Sequence, residues 1–395
     1  MIRRLKGIQE LFRREIRIVT KDINIMSVIL LAPLFYSFFY GSVYINKVER
    51  DVPVVVVDMD RTNTTQKLIR MLDAHQMISV TETVPDYSTG IAEINNSDSQ
   101  CMIFIPKGFE AELKSGKGGF IKIYLNTSRF LVSNDLNLAI NEVLGYFNAG
   151  IKLKYFQTQG YTIEESKQLI EPVNTDLRPL FNYTESYGEF LIPGILVLVL
   201  QQTLLIGLSE SMAKERENNT LGELYEKSNY STLAMVNGKG LFYFILFSAY
   251  ALLFYTINFA LFKINFKGSI PAVIVMTFLL LFAVIYIAIF VSSFFKRKIV
   301  ALQFLSFLSF PVFLMSGYSW PMHSMPLPLQ WIANLIPSTP YLGAFIRITQ
   351  MGAGFGDVLP EIFHLMIIAS AAFALVYIRL DKLAAREKNL AEIKV

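Results

Sequence analysis

Six long apolar runs, with a long polar insertion between the first two, predict an α-helical integral membrane protein: six transmembrane helices and a mixed α/β extracytoplasmic domain. The runs lie at about 24–45, 189–209, 240–262, 270–295, 299–318 and 360–379. Each is near the roughly 20 residues that cross a bilayer as one helix. Composition agrees, with 53% of the 395 residues hydrophobic, 17% charged and a mean hydropathy of +0.42; a soluble domain carries about 25% charged residues. This excludes a disordered chain, a collagen-like fibre and a secreted disulfide scaffold. Cys101 is the only cysteine, so no internal disulfide forms and the redox compartment is not legible from it.

The chain begins with a basic leader, residues 1–23, in which Leu5, Ile8, Phe12, Ile16 and Val19 recur at helical spacing while arginines take the other face. That is the pattern of an amphipathic helix lying in the inner membrane interface. A bare topogenic signal would explain the charge but not the apolar stripe. The first span, 24–45, follows. No small-residue cleavage site comes after Tyr44, so it reads as an uncleaved anchor and not a signal peptide.

Basic residues orient the remaining spans. The leader (Arg3, Arg4, Lys6, Arg13, Arg14, Arg17, Lys21), the loop 210–239, Lys296–Lys298 and the tail from Arg379 together hold nineteen Lys and Arg; the short segments opposite, 263–269 and 319–358, hold three. Both termini are therefore expected in the cytoplasm, with 380–395 a cytoplasmic tail of a multi-pass protein of the cell's inner membrane.

Residues 46–188 then lie outside. They carry 14 basic and 18 acidic residues, but a long domain translocates largely regardless of charge and is placed by its flanking spans. Val52–Asp58 is a β-branched run ending in a turn and helix start. Helical spacing follows over Thr65–His75; Ile78–Val84, Cys101–Ile105 and Phe120–Leu125 are further strands. A long helix is expected over 131–159 and a shorter one near 163–170. About 143 residues suffice for an independent core.

Catalytic constellations are missing. There is no G-x-x-x-x-G-K-[ST] loop to cradle a phosphate; Ser115-Gly-Lys-Gly-Gly comes nearest and reads as a turn. His75, His323 and His364 are far apart, and the Glu361-x-x-His364 pair reads as an interfacial His and not a metal site. No Ser sits in a nucleophile elbow. The spans hold only scattered polar groups (Gln201, Gln202, Thr203, Asn258, Thr277, Gln303) and no carboxylate at depth of the kind a cation-coupled carrier uses. An enzyme is not supported, nucleic acid is not an expected partner, and movement across the membrane would need an outside energy source.

Two segments carry information. In the loop 210–239, Glu215-Arg216-Glu217 precedes Thr220, which can cap a short helix with Glu223 at its third position, a capping box. Such a charged helix suits a partner protein, though a solvated loop would look the same. In 310–341, six prolines and Gly317 fall at the outer end of the fifth span, so the chain cannot continue as one helix. Trp320, Trp331 and Tyr341 are interfacial anchor candidates. Broken apolar sequence at membrane depth needs protein or a water-filled cavity to cover it; a re-entrant hairpin, 319–358, closing the outer mouth of a pathway fits.

These residues, taken in order, resemble the permeases of the export-type ABC-2 class of ABC transporters, in the long-ectodomain subgroup. The matching pieces are Phe190-Leu-Ile-Pro193-Gly194 opening the second span, Glu215-Arg216-Glu217-x-x-Thr220-x-x-Glu223, Gly238-Lys239 before the third span, Ser316-Gly317-x-x-x-Pro321, and Ile336-Pro337-Ser-Thr-Pro340. Asn219 stands where the family usually has Gly, and Tyr183 where Pro is common.

The resemblance implies a dimer, of two copies or with a paralogous permease, energised by a separate ATPase subunit that holds ATP and Mg; this chain would bind no cofactor. Glu215, Arg216, Glu217, Thr220, Leu221, Glu223, Gly238 and Lys239 would couple to that ATPase. Phe310, Pro311, Ser316, Gly317, Pro321, Pro337 and Pro340 would form the outer gate hairpin, and Gln201, Gln202 and Thr203 would line the pathway. An amphipathic drug or lipid is the expected substrate. Family behaviour adds a periplasmic adaptor and outer-membrane channel as partners. The alternative, a receptor or secretion scaffold acting through its outer domain without transport, has no need of the charged loop helix.

Overall fold

The structure, a computed structural model, describes residues 2–45, 49–96, 98–171, 178–182 and 186–393, with side chains except those of 2–6 and 384–393. Tyr183, and the side chains of Arg3, Arg4, Leu5 and Lys6, lie outside that set. The chain divides into two compact units, Met1–Lys47 with Pro179–Val395, and Val48–Arg178.

The first unit is helical. After α1 (Ile2–Lys21) comes α2 (Ile23–Val43), the first of six helices among the described residues that are long and apolar enough to cross a membrane. Asp22 separates them: its backbone is extended and its carboxylate accepts the Asn24 N–H at 3.1 Å, an N-cap that starts a new helix.

The second unit is an α/β layer. Its strands are β1 (Val52–Asp58), β2 (Ile78–Val84), β3 (Cys101–Ile105) and β4 (Lys122–Leu125), ordered β2-β1-β3-β4, with only β4 antiparallel. β1 is the central parallel strand and is buried at nearly every position, which is why it reads as continuous Val and not as an alternation. The helices are α3 (Asn63–Asp73), α4 (Tyr87–Asn95), α5 (Phe109–Lys114), α6 (Phe130–Thr158) and α7 (Ile163–Ile170). The strand and long-helix expectations hold. α4 and α5 had no sequence signal strong enough to separate them from loop, being short and polar. Gly116 and Gly118 take positive φ and lead into β4, so Ser115–Gly119 is a turn without the following helix that phosphate cradling needs.

The remaining spans are α8 (Tyr187–Glu217), α10 (Thr232–Leu261), α11 (Ile270–Ser292), α12 (Lys298–Met315) and the last, within Gly356–Leu383. Between α8 and α10 lies the short α9 (Leu221–Lys227). The expected loop 210–239 is therefore mostly helix: α8 continues past Ser209 to Glu217 and α10 begins at Thr232. Charge does not end a helix, and Lys214 and Arg216 suit the negative end of the α8 dipole. What ends it is Asn219, at φ +56. The Thr220 N–H bonds the Glu215 carbonyl at 2.9 Å and the Asn219 N–H bonds that of Arg216 at 3.3 Å, the paired bonds of a Schellman stop. Asn tolerates this left-handed conformation, so its replacement of the family's Gly leaves the turn intact.

After α12 the chain breaks into the short helices α13 (Leu327–Ala333) and α14 (Ser338–Thr349) before the last helix, α15 (Leu359–Ile393). Pro311 lies inside α12 and does not end it; the break comes at Ser316-Gly317, where Gly317 has φ +79.

Candidate functional site

The charged end of the helical unit contains a buried ion network that joins residues 14–15 to residues 211–243. α1 packs along α10 because Gly238 has no side chain: a Cβ there would sit 2.8 Å from Leu11 Cδ1 and 2.9 Å from Leu11 Cβ. That approach buries Glu15 and Lys239, each 1% exposed. Lys239 Nζ donates to Glu15 Oε2 at 2.6 Å and to Ser211 Oγ at 2.9 Å, and Tyr243 donates to Glu15 Oε1 at 2.9 Å. Ser211 also hydrogen-bonds Glu15. Glu215, 2% exposed, takes Arg14 in a bidentate pair, lies 3.6 Å from Lys239 Nζ and accepts the Thr220 hydroxyl at 2.5 Å. Two acids and two bases thus close on each other, the condition under which buried charge is tolerable.

The leader's expected stripe is corrected by this packing. Leu11, Glu15 and Val19 form the buried face of α1, while Ile16 is exposed and Ile8 and Phe12 flank it; α1 is docked on α10 and not only laid in the interface. The capping box is also overturned. Thr220 makes no side-chain cap on α9, because its hydroxyl is taken by Glu215, and Glu223 is exposed.

The other residues of the charged motif serve the fold as well. Arg216 donates to the carbonyls of Ser293 and, at 3.2 Å, Phe295, stitching α8 to the loop after α11. Glu217 accepts the Lys298 N–H at 2.8 Å, capping α12 from outside. Leu221, Gly238 and Lys239 face inward, and Tyr225 anchors α9 to α15 through the Leu380 carbonyl at 2.7 Å. α9 offers Glu223, Glu226 and Lys227 to solvent, and the turns on either side of it add Asn218, Asn219, Asn229 and Tyr230.

Beside this network is a second one. Asp22 Oδ2 accepts Lys214 Nζ at 2.7 Å and Lys298 Nζ at 2.6 Å. Burial alone would raise this carboxyl; the hydrogen bonds and charges of the two lysines overcome it and hold the group at about 2. Glu210, fully buried on α8, has no hydrogen-bond partner for either carboxylate oxygen among the described residues. The sequence reading missed Glu15, Asp22 and Glu210. A hint existed: Glu15 and Asp22 are acids in a basic leader, and Glu15 lies four residues from both Leu11 and Val19.

At the opposite end, Pro193 denies α8 one N–H, and Gln350 Nε2 donates to the freed Glu189 carbonyl at 2.9 Å. Next to it Tyr318 enters the helix ladder. Its hydroxyl accepts the Gly194 N–H at 3.2 Å and donates to the Phe190 carbonyl, with the Phe190 and Tyr318 rings stacked at 5.0 Å. Gly194 is needed here, since a Cβ would meet the Tyr318 ring at 2.3 Å. Ser316, Pro337 and Pro340 are buried, Pro311 and Gly317 half-buried, and Phe310 and Pro321 exposed. Trp320 and Trp331 are exposed as interfacial anchors would be. Tyr341 is not: it is fully buried, sharing hydrogen bonds of 2.8 Å with Tyr255 and with Thr277. Those two hydroxyls reward its burial, which sequence alone does not reveal.

Gln201, Gln202 and Thr203 do not share one face, since adjacent helix positions diverge. Gln201 is buried, Thr203 is tied to its own helix through the Val199 carbonyl at 2.6 Å, and Gln202 faces Ser309 of α12 at 3.5 Å. Glu361 pairs with Arg347 at 2.6 Å and His364 with the Asn334 carbonyl at 2.8 Å. No group of three His, Cys, Asp or Glu able to hold a metal occurs among the described residues.

Residues 24–378 match the ABC-2 family transporter proteins. The chain belongs to that family. It is a multi-pass membrane subunit, a permease, of an ABC transporter, and proteins of this kind work with a separate ATPase. It is 22% identical over 389 residues to the inner membrane transport permease YhhJ of Escherichia coli, covering 96% of this chain and 98% of that one. It is 23% identical over 376 residues to the linearmycin resistance permease protein LnrN of Bacillus subtilis, covering 91% and 95%. With ABC transporter G family member 20 of Dictyostelium discoideum it is 24% identical over 317 residues, 77% of this ABC-2 chain but only 42% of that protein's length.

Proposed function

We propose that this chain is the membrane half of an ATP-driven exporter of the inner membrane, with its termini and α9 in the cytoplasm and Val48–Arg178 outside. The observation that carries the reading is the welding of α1, α8 and α10 through Glu15, Lys239, Arg14 and Glu215, with Thr220, the residue before α9, hydrogen-bonded to Glu215. A handle that passes a partner's motion to the spans must be rigid, and a closed buried ion network supplies that rigidity. The partner would be a separate ATPase holding ATP and Mg. It would meet the exposed side of α9, through Glu223, Glu226 and Tyr230, while Glu215, Arg216 and Glu217 hold that surface in place.

α12 is the least covered span, with Phe304, Phe307 and Phe310 exposed along one side. It suits a second permease copy, with Gln202 and Ser309 polar groups near that seam. The tyrosine-bridged hairpin from Tyr318 to Thr349 would close the outer mouth. The linearmycin relative's name and the apolar, sparsely polar spans favour an amphipathic drug or lipid as substrate. The outer domain would meet a periplasmic adaptor.

The test is co-purification of the chain with the ATPase encoded beside it, followed by ATP hydrolysis in lipid. Glu223→Arg should release the ATPase or uncouple its turnover while the permease's thermal stability stays unchanged. A full-length, stable chain that binds no ATPase would shift the reading to a receptor or scaffold acting through its outer domain.

A further inference from the structure

Two half-buried lysines stand near two buried carboxylates, yet both lysines are on one acid. Lys214 and Lys298 converge on the same oxygen of Asp22, at 2.7 and 2.6 Å. Glu210 sits one helical turn before Lys214, on the same face of α8, with its side chain fully buried and both its oxygens unpartnered among the described residues. The charges acting on Glu210 are those of Asp22, Lys298 and Lys214, and its own charge acts on Tyr243 of α10. Beyond Tyr243 the Glu15–Lys239–Glu215–Arg14 network is already closed on itself and has no cation to spare. A buried carboxylate left without a partner is costly and calls for a reason.

The place of Asp22 supplies one. It is the joint between α1 and α2, the extended residue at which the helix direction is reset. We propose that Asp22 and Glu210 are alternative anchors for Lys214 and Lys298, and that passing a lysine from Asp22 to Glu210 releases the joint between α1 and the first span. In the conformation seen here the joint is locked and Glu210 waits unpaired. In the other, Glu210 holds a lysine and α1 is free to tilt with whatever is bound to it. Two discrete pairings of the same charges make such an element bistable and not continuously deformable. Its use in a transport cycle rests on the function proposed above; the exchange itself does not.

The experiment needs neither ATPase nor substrate. In a Cys101→Ala background, the full chain in lipid nanodiscs carries spin labels at Thr20→Cys, on the last turn of α1, and Lys296→Cys, before α12; both sites are exposed. Pulsed electron resonance then reads the distance between them. One distance should dominate in the parent, with a minor state of at most about 10%. Asp22→Asn keeps a capping side chain but removes the charge, and should make a second distance the majority. Adding Glu210→Gln should abolish that second distance. An unchanged distribution in Asp22→Asn, or a second distance equally populated with and without Glu210→Gln, would overturn the proposal. So would an Asp22→Asn chain that fails to fold where Asp22→Glu folds, because Glu210 would then have failed to take up the lysines. Loss of ATPase binding in other experiments would leave this result untouched.

Discussion

Replacing Lys239 by Met removes one cation from a sealed network and leaves its acids facing each other. At 2.6 Å from Glu15 and 3.6 Å from Glu215, and with an effective dielectric near 20, the attractions lost are about 6 and about 5 kcal/mol before solvation is counted. Much of this is offset, because the lysine at 1% exposure no longer has to be stripped of water. Glu215 keeps Arg14, but Glu15 keeps only the Ser211 and Tyr243 hydroxyls. The expected net loss is that of a buried pair with one partner removed, about 3–5 kcal/mol. Unfolding free energy measured in bilayers by steric trapping reads it directly. The double variant Lys239→Met with Glu15→Gln should recover most of the loss, since the stranded charge is gone. A single-variant cost below about 1 kcal/mol, or a double variant no better than the single, would refute the idea that α1 is held by this ion network.

Other expectations follow from local geometry. Asn219 sits at φ +56, so Asn219→Gly should be neutral or slightly stabilising, while Asn219→Val should cost about 1–2 kcal/mol in the same bilayer measurement. At Gly207 a Cβ would lie 2.0 Å from Ile29 Cγ2, so Gly207→Ala should push the first and second spans apart at about 1–3 kcal/mol, and Ile29→Ala should restore part of it. Asp22 titrates at about 2 in the folded chain against 3.8 ordinarily. Because its folded value is depressed, its stabilisation is complete above about pH 4 and is lost as pH falls through about 2. Acid unfolding of Asp22→Asn with Glu210→Gln, which leaves the lysines neither acid, should lack that limb, and an acid limb identical to the parent's would count against the lysine pairing.

Hydropathy set the number of spans because each element crosses the bilayer alone and must satisfy that solvent residue by residue. The strands Val52–Asp58, Ile78–Val84 and Cys101–Ile105 were legible for a related reason: a buried parallel strand is a short β-branched or apolar run. The hairpin's break at Gly317 and the prolines were legible because backbone restriction is written in single residues. The loop 210–239 was misjudged because polar sequence was equated with loop, whereas helix continues wherever its end is not signalled, here at Asn219.

The sequence by itself determined which segments cross the membrane, which carry charge, and the family those motifs belong to. Only the tertiary structure decided what the charges hold. Glu15 meets a lysine 224 positions away and Arg14 an acid 201 positions away. Tyr318 completes the helix ladder of Phe190 and Gly194, about 125 residues earlier in the chain, from outside. Periodicity reports which face of a helix avoids water; it does not report which of two buried acids receives a lysine. That choice is made by how the helices approach one another, as at Gly238 for Glu15 and Lys239, and among the described residues it leaves Glu210 without a partner.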